Sequence, residues 1–268
     1  MQKRVLVTGG ASGLGKAIAL CWAKSGADIV IADLHQERGV ETVAEIQELG
    51  QQAYFHRCDV TQDDDVDALK NAVMESMGGI DLLVNNAGVA TAGSLQEEDI
   101  EQWRWVLDIN VLGVVRMARA FVPIMQKQGG GYLLNVASQA GITPAPLMAS
   151  YSASKAAVVS FSETMKLELV DENIGVSVLC PGFFKTHLDE SVRSHNPAMK
   201  SVVSKLLERS NVSAEQVAQC AFDAVQKNQF MILSHYDGKK AHRIKRWIPN
   251  YYFKMMIKHT EKFRNMGK

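Results

Sequence analysis

The stretch Thr8-Gly9-Gly10-Ala11-Ser12-Gly13-Leu14-Gly15 decides the fold, because an apolar run precedes it and a helical pattern follows it. Glycines at such a turn let the backbone approach a pyrophosphate and place that group at the positive end of the helix dipole. A glycine-rich turn alone is often only a turn. Since strand, turn and helix come here in order, the stretch predicts a dinucleotide site with Gly9, Ser12, Gly13 and Leu14 beside the cofactor.

The next predicted strand ends at Asp33, 18 residues after Gly15. An acid roughly 20 residues beyond the glycine turn is expected to bind the adenosine ribose. Its carboxylate accepts hydrogen bonds from both ribose hydroxyls and repels the additional phosphate of NADP. Neither Ser12 nor Leu34 supplies the Arg or Lys that this phosphate would need. NAD(H) is therefore the predicted cofactor; the alternative is that Asp33 is an ordinary acid at a strand end.

Short β-branched runs alternate with longer helical patterns, which is typical of a parallel sheet with helices on both faces. The predicted strands are 4–8, 28–33, 52–56, 80–85, 131–137, 175–180 and 229–233. The predicted helices lie near 13–25, 36–49, 63–77, 97–127, 150–170 and 213–227. The predicted fold class is α/β: a single-domain, doubly wound, Rossmann-type sheet of seven parallel strands.

Two segments depart from this alternation. Residues 187–210 insert helical material after the sixth strand, where an insertion can cover a ligand site. We therefore predict a dinucleotide-binding domain over residues 1–234, with a substrate lid at 187–210, and a helical tail over residues 235–268. Pro249 is expected to divide the tail into two short helices.

Composition narrows the class of protein. At 268 residues and 47% hydrophobic content, the chain can bury one large core, and a second full domain is not expected. A formal net charge of zero gives no reason to expect nucleic acid as a partner. No leader or membrane-spanning run is apparent, so a cytoplasmic enzyme is expected. The cysteines have no C-x-x-C spacing and no neighbouring metal ligands, so we interpret them as reduced core residues: Cys21, Cys58, Cys180 and Cys220.

Tyr151 and Lys155 stand four residues apart at the start of a predicted helix, so their side chains share one face. An isolated pair with this spacing is common on helix surfaces. Here Ser138 ends the preceding predicted strand, and Asn110 lies in the helix before that strand. Because these four residue types together can bind and move a proton, we predict that they form a catalytic site.

Over roughly residues 3–233 the sequence resembles the short-chain dehydrogenase/reductase family. The motifs that carry the resemblance come in the family's order: the Thr8–Gly15 turn, Asp59-Val60, Asn85-Asn86-Ala87-Gly88, Asn110, Ser138, Tyr151 with Lys155, and Pro181-Gly182 through Thr186. The resemblance implies hydride transfer between an alcohol and a carbonyl compound, with Tyr151 as the acid/base. It also implies a homodimer or homotetramer through the helices near 97–127 and 150–170.

The resemblance implies a role for each side chain. Tyrosine titrates near about 10, so Lys155 is expected to lower the pKa of Tyr151, and also to bind the nicotinamide ribose. Ser138 is expected to hold the substrate oxygen, and Asn110 a water molecule. Cofactor contacts are implied for Asp59, Val60, Asn86, Gly88, Phe184 and Thr186. As alternatives, Asn85-Asn86 could merely stabilise a strand end, and Pro181-Gly182 could be only a turn.

The segments expected to flank the substrate are apolar. Residues 139–148 contain no cluster of Arg or Lys that would bind a phosphate or a carboxylate. The insertion after Thr186 is rich in aliphatic residues. This composition favours a lipophilic alcohol, secondary rather than primary, or the corresponding ketone or aldehyde, for example a steroid-like or acyl-chain-like compound. The alternative is that these side chains only pack the lid onto the sheet.

The tail is basic as well as aromatic. From Asp237 to Lys268 there are ten Lys or Arg residues against two acids, net +8, which leaves residues 1–236 at net −8. Residues 239–268 could thus contact an anionic membrane surface peripherally. The apolar residues do not form one clean stripe, which favours packing against a neighbouring subunit or the lid.

Other classes of function compete with a dehydrogenase. A dinucleotide-binding sensor or scaffold would keep the fold without turnover, and the intact Ser138, Tyr151 and Lys155 argue against it. Epimerases and dehydratases of nucleotide sugars normally have a longer substrate region. A third alternative is a reductase of an acyl-chain or steroid-like carbonyl at a membrane surface.

Overall fold

A computed structural model describes residues 3–184, 191–195 and 210–264. The described residues form seven strands: β1 (Arg4–Thr8), β2 (Asp28–Asp33), β3 (Ala53–Arg57), β4 (Leu82–Asn85), β5 (Gly131–Val136), β6 (Ile174–Leu179) and β7 (Met231–Ile232). They make one sheet in the order β3-β2-β1-β4-β5-β6-β7, and every neighbouring pair is parallel. The predicted fold class is confirmed, although β7 is only two residues long.

Helices cover both faces of this sheet. Those before the tail are α1 (Gly13–Lys24), α2 (Gln36–Glu48), α3 (Asp63–Met77), α4 (Ile100–Leu107), α5 (Gly113–Lys127), α6 (Gln139–Ile142), α7 (Ala149–Glu168) and α8 (Ala214–Gln226). The helical stretch predicted near 97–127 is observed from Ile100 to Lys127, but a π-helical turn at Asp108–Leu112, which was not predicted, joins α4 to α5. Single-turn π segments occur often at functional sites, and hydrophobic periodicity does not reveal them.

The strands are apolar throughout because both faces of the sheet are buried. In β1, Val5 and Val7 face a core formed with α1 and α8, whereas Leu6 faces a second core formed with α3 and α5. Trp22 anchors the first core and makes an edge-to-face contact with Phe222, with ring centroids 5.1 Å apart. This double burial fixes the register of the central strands.

The strand order reverses between β1 and β4, which are direct neighbours in the sheet. At such a point the loops that follow the two strands separate and leave a crevice beyond the carboxyl ends. The glycine turn follows β1, and Asn86–Gly88 follow β4. The fold therefore brings these two sequence motifs to one crevice.

The tail divides at Pro249, as predicted, into α9 (Tyr236–Trp247) and α10 (Pro249–His259), followed by the short α11 (Glu261–Arg264). Of the predicted lid at 187–210, only residues 191–195 and 210 are described. Within the described chain, no helix is long and apolar enough to cross a membrane. All four cysteines are free; Cys58 and Cys180 are core residues as expected, whereas Cys21 and Cys220 are partly exposed.

Candidate active site

A cleft of about 720 Å³ opens at the crevice between β1 and β4. That volume lies within the range of ligand pockets in proteins. The predicted site residues that line it are Gly9, Ser12, Gly13, Leu14, Asp33, Asp59, Val60, Asn86, Gly88, Tyr151, Lys155 and Phe184. Thr186 lies outside the described residues. One continuous cleft thus joins the glycine turn to the Tyr151–Lys155 pair.

The glycine turn is held in a conformation that side chains disfavour. Gly9 and Gly13 have φ values of 63° and 52°, in the left-handed region where glycine is at ease. A Cβ on Gly9 would also lie 2.9 Å from the Cα of Ala87. The Asn86 amide nitrogen donates to the Thr8 and Gly9 carbonyls at 2.9 and 3.0 Å. Asn86 lines the cleft, but its side-chain nitrogen stabilises the glycine turn through these two hydrogen bonds.

The Asp33 carboxylate is fixed at the end of β2 by backbone amides. Its Oδ2 accepts from the Ala11 amide and its Oδ1 from the His35 amide, both at 3.0 Å. Each carboxylate oxygen has further acceptor capacity for a ligand hydroxyl. Arg38 lines the same part of the cleft, which sequence reasoning missed because Arg38 stands beyond the positions compared for an NADP site.

The walls near the expected adenine position come from the segment after β3. Asp59 lines the cleft, yet its Oδ1 accepts bonds from the Thr61 amide and hydroxyl at 2.9 and 2.7 Å, closing a local turn. The Val60 side chain lies against α5, where a Cβ on Gly113 would come within 2.8 Å of it. The two residues offer this end of the cleft one acidic and one apolar surface.

Tyr151 and Lys155 lie one turn apart at the start of α7, and both are buried. The Lys155 Nζ donates to the Val136 carbonyl at the end of β5, at 3.0 Å. The same nitrogen lies 6.0 Å from the centroid of the Tyr151 ring. The sheet end and the helix together therefore fix the ammonium group beside the phenol.

Burial shifts both of these groups towards their neutral forms. The pKa of Tyr151 is raised by desolvation, and a hydrogen bond with the Ser138 side chain offsets only part of that rise. Desolvation lowers the pKa of Lys155 to about 8. The resemblance implies that Lys155 lowers the pKa of Tyr151, but in the chain without cofactor this pKa is raised, because the cost of burying a charged phenolate outweighs the hydrogen bond with the Ser138 side chain.

Ser138 follows β5 and is the N-cap residue of α6. Its hydroxyl oxygen accepts from the Ala140 amide at 3.1 Å, and the same side chain reaches Tyr151. Serine at an N-cap satisfies one of the free amides of the first helical turn. The cap fixes the hydroxyl at the site, where it can contact a substrate oxygen.

Asn110 lies in the π-helical turn and is completely buried. Its amide donates to the Val89 carbonyl and the Ser154 hydroxyl, both at 3.0 Å, and its Oδ1 accepts from the Val89 amide at 2.9 Å. The side chain thus ties the loop after β4 to α7. A Cβ on Gly88 would lie 3.0 Å from the Asn110 Oδ1 and 3.2 Å from the Lys155 Nζ, so a side chain there would require Asn110 or Lys155 to shift slightly.

Glu98 is a functional candidate that sequence reasoning missed. Its carboxylate is buried and accepts from the Ser150 amide at 3.2 Å and from the Ser150 hydroxyl at 3.0 Å. Ser150 immediately precedes Tyr151 in the first turn of α7, where a negative charge favours the helix dipole. In sequence, Glu98 is one of three consecutive acids, so no pattern distinguishes it from solvent-exposed neighbours.

The surroundings of the Tyr151 ring are apolar. Tyr151 belongs to a buried cluster with Ala90, Ala92, Met148 and Val192. Val192 belongs to the short described piece of the predicted lid, and the neighbouring Arg193 stacks its guanidinium on Trp105 at 3.7 Å from the ring centroid. The loop after β4, residues 139–148 and the lid segment therefore meet beside the phenol.

Residues 3–197 match a family described as short chain dehydrogenase. Among curated proteins, the chain is 36% identical to "3beta-hydroxysteroid dehydrogenase 1" of Eggerthella lenta, over 82% of this chain and 85% of that protein. It is 33% identical to "Probable oxidoreductase EphD" of Mycobacterium tuberculosis over 84% of this chain, but spans only 40% of that longer protein.

A solved structure extends this likeness to three dimensions. A short chain dehydrogenase/reductase from Burkholderia phymatum, solved in complex with NAD, superposes with a TM-score of 0.87 at 33% identity. The match covers 91% of this chain and 93% of that one. The cleft described above fits such a dinucleotide, because glycine, acid and lysine line a single continuous surface.

Proposed function

Because this chain belongs to the short chain dehydrogenase family of oxidoreductases, we propose that it interconverts a lipophilic secondary alcohol and its ketone, using NAD(H). The observation that carries the proposal is the single cleft that begins at Asp33 and ends at Tyr151 and Lys155. The fixed Asp33 carboxylate lies at one end of that cleft, and the buried side chains of Tyr151 and Lys155 lie at the other. One elongated ligand would contact both ends.

The residues divide the work along the cleft. The glycine turn and Asp33 would hold the pyrophosphate and adenosine ribose of NAD, and Lys155 the nicotinamide ribose. Bound there, NAD supplies a hydride acceptor, and NADH a hydride donor. The Asp33 charge, facing the ribose, supports a preference for NAD over NADP.

Tyr151 would act as the acid/base at the substrate oxygen. The Ser138 hydroxyl, fixed by its cap to α6, would hold that oxygen in place. Since burial keeps the phenol protonated through the neutral range, the side chain is ready to donate its proton to a carbonyl oxygen during reduction. In the oxidation direction the Tyr151 phenol must first release its own proton to solvent, so that the phenolate can accept the hydroxyl proton; the Lys155 ammonium beside it would stabilise that phenolate. Asn110 would position α7 and, with it, both groups.

The apolar cluster around Tyr151 supports a lipophilic substrate. A relative that is 36% identical is named for dehydrogenation of a steroid hydroxyl, which is consistent with a steroid-like or acyl-chain-like compound. The division at residue 234, the lid at 187–210 and assembly as a homodimer or homotetramer remain predictions.

The experiment is a screen of the purified protein with NAD⁺ against secondary alcohols of increasing size, followed by nicotinamide absorbance. We expect turnover to increase with apolar size. Tyr151→Phe should reduce kcat by about 10²–10⁴-fold, the range of general acid–base catalysis, and leave NADH affinity unchanged. Tyr54→Phe, which alters an exposed tyrosine on β3, is the matched control and should behave as wild type.

Two outcomes would contradict the proposal. Turnover confined to small polar alcohols would remove the lipophilic substrate. NADH binding without turnover of any alcohol or carbonyl compound would favour the sensor or scaffold instead.

A further inference from the structure

The C-terminal tail packs against the loops of the candidate active site. The Lys245 Nζ donates to the Ile142 carbonyl at 2.6 Å, and the Gly238 carbonyl accepts from the Gln139 amide at 3.4 Å. His235 Nδ1 accepts from the Gly182 amide at 3.1 Å. Tyr252, on α10, is 1% exposed and lies beside Thr143. These contacts hold the tail against the segments that follow Ser138 and Pro181.

The tail also carries large apolar side chains that face solvent, on α9, on α10 and at the bend between them. We call this set the apolar corner, because Trp247, Ile248 and Tyr251 all lie within two residues of Pro249. Its members are Trp247 at 78% exposed, Ile257 at 58%, Ile248 and Tyr251 at 57%, and Phe253 at 51%. A group of this kind on a folded protein generally marks an interaction surface.

Basic residues border the apolar corner on both sides along the chain. Arg243 and Arg246 are exposed before the bend, and Lys254 and Lys258 are exposed after it. Residues 236–264 contain nine Lys or Arg residues against two acids. A partner for this surface must therefore combine negative charge with an apolar interior.

We propose that the apolar corner docks this protein on an anionic lipid membrane. Aromatic residues that alternate with Lys and Arg are characteristic of segments that lie in the membrane interface, with the bases at the lipid phosphates. Protein–protein interface cores, in contrast, are depleted of lysine. Two tails meeting symmetrically would also bring their positive charges together.

Because the tail packs beside the candidate active site, docking of the tail would also place that site near the membrane. His235, α9 and α10 contact residues 139–143 and 182, which are next in sequence to Ser138 and to the cleft-lining Pro181. A docked protein would hold these segments close to the lipid surface, so that an apolar substrate dissolved in the bilayer need not cross water. This consequence alone rests on the proposed function.

The experiment measures binding of the full-length protein to vesicles, without cofactor or substrate, so that its outcome is independent of the proposed function. We expect binding to vesicles of phosphatidylcholine with phosphatidylserine, weak binding to phosphatidylcholine alone, and weakening with salt. Trp247→Ala combined with Tyr251→Ala should weaken binding at least about tenfold, because it removes two exposed aromatic side chains that docking would bury in the lipid. Arg246→Gln and Lys254→Gln should each cost about fivefold, equivalent to about 1 kcal/mol per basic residue.

The matched control is Leu95→Ala combined with Leu167→Ala, which removes side chains that are 72% and 77% exposed but lie outside the tail. This control should bind vesicles like the wild type. Fluorescence gives a second measurement: the emission of Trp247 should shift to shorter wavelength on vesicle binding, and the conservative Trp247→Phe should abolish that shift while retaining binding.

Absence of binding to the anionic vesicles, or equal losses in the apolar-corner variant and the control, would overturn the proposal. So would a concentration-dependent increase in mass in solution that the apolar-corner variant abolishes, since that result assigns the surface to a second copy of this chain.

Discussion

At the scale of single residues, the proposed preference for NAD over NADP rests on Asp33. Replacing it by Asn removes the charge and leaves one amide oxygen as the acceptor where two carboxylate oxygens now accept from Ala11 and His35. We expect NADH affinity to fall about tenfold or more, the cost of a lost hydrogen bond to a charged group. NADPH affinity should fall less or rise, because Arg38 lines the same part of the cleft.

Fluorescence titration of NADH and NADPH checks this prediction. Asp28→Asn is the matched control, because Asp28 begins the same strand and its Oδ1 accepts from the Gln52 amide at 3.0 Å, far from the cleft. If Asp33→Asn kept the wild-type ratio of the two affinities, Asp33 would not select the cofactor.

Lys155 gives a second prediction, on the pH dependence of stability. Burial lowers its pKa from 10.5 to about 8. Between pH 8 and 10.5 the unfolded chain therefore holds a proton that the folded chain has released, so this group's contribution to stability rises with pH. Relative to Lys155→Met, the wild-type free energy of unfolding should rise from pH 8 by at most about 1.4 kcal/mol per pH unit.

Chemical denaturation of the two cofactor-free proteins at several pH values measures this difference. Comparison with the variant cancels the opposite contribution of Cys58, whose pKa burial raises to about 12. A difference that stays flat across the window would mean that Lys155 remains charged in the folded state.

At the scale of elements, α7 carries both Tyr151 and Lys155, and Glu98 stabilises the first turn of this helix. Glu98→Ala would leave the Ser150 amide and hydroxyl without this acceptor, at a cost of about 1–3 kcal/mol in stability. Because Ser150 precedes Tyr151, we expect kcat to fall while NADH affinity changes little. Glu98→Gln retains one acceptor oxygen and should restore part of the activity.

Thermal unfolding and steady-state kinetics measure both effects. Glu97→Gln is the matched control, since Glu97 accepts from the Ser94 amide within its own loop. Should Glu98→Ala lose stability but keep the wild-type kcat, the carboxylate would support the fold without positioning Tyr151.

At the scale of the whole molecule, the tail and the sheet domain meet through residues that follow Ser138. Lys245→Met removes the hydrogen bond to the Ile142 carbonyl and loosens α6. We expect KM for the alcohol to rise about two- to tenfold, in line with a hydrogen bond of about 0.5–1.5 kcal/mol, with NADH affinity unchanged. Lys240→Met, an exposed lysine on the same helix, is the control. Equal KM values in the two variants would show that the tail does not influence the substrate side.

Local sequence patterns were sufficient to predict the sheet and the end of the cleft where the cofactor is expected. Strand periodicity, the glycine turn and Asp33 all act over a few residues, because backbone conformation and burial on both faces constrain each segment separately. The spacing of Tyr151 and Lys155 also determined their common face.

Tertiary structure alone decided how those groups behave. The π-helical turn at Asp108–Leu112, the buried Glu98 and the solvent-facing apolar corner depend on which segments meet, and no local pattern marks them. The pKa of Tyr151 is the clearest case: the sequence supplies a cation beside a phenol, but desolvation, which arises only when distant segments enclose both groups, reverses the direction of the shift.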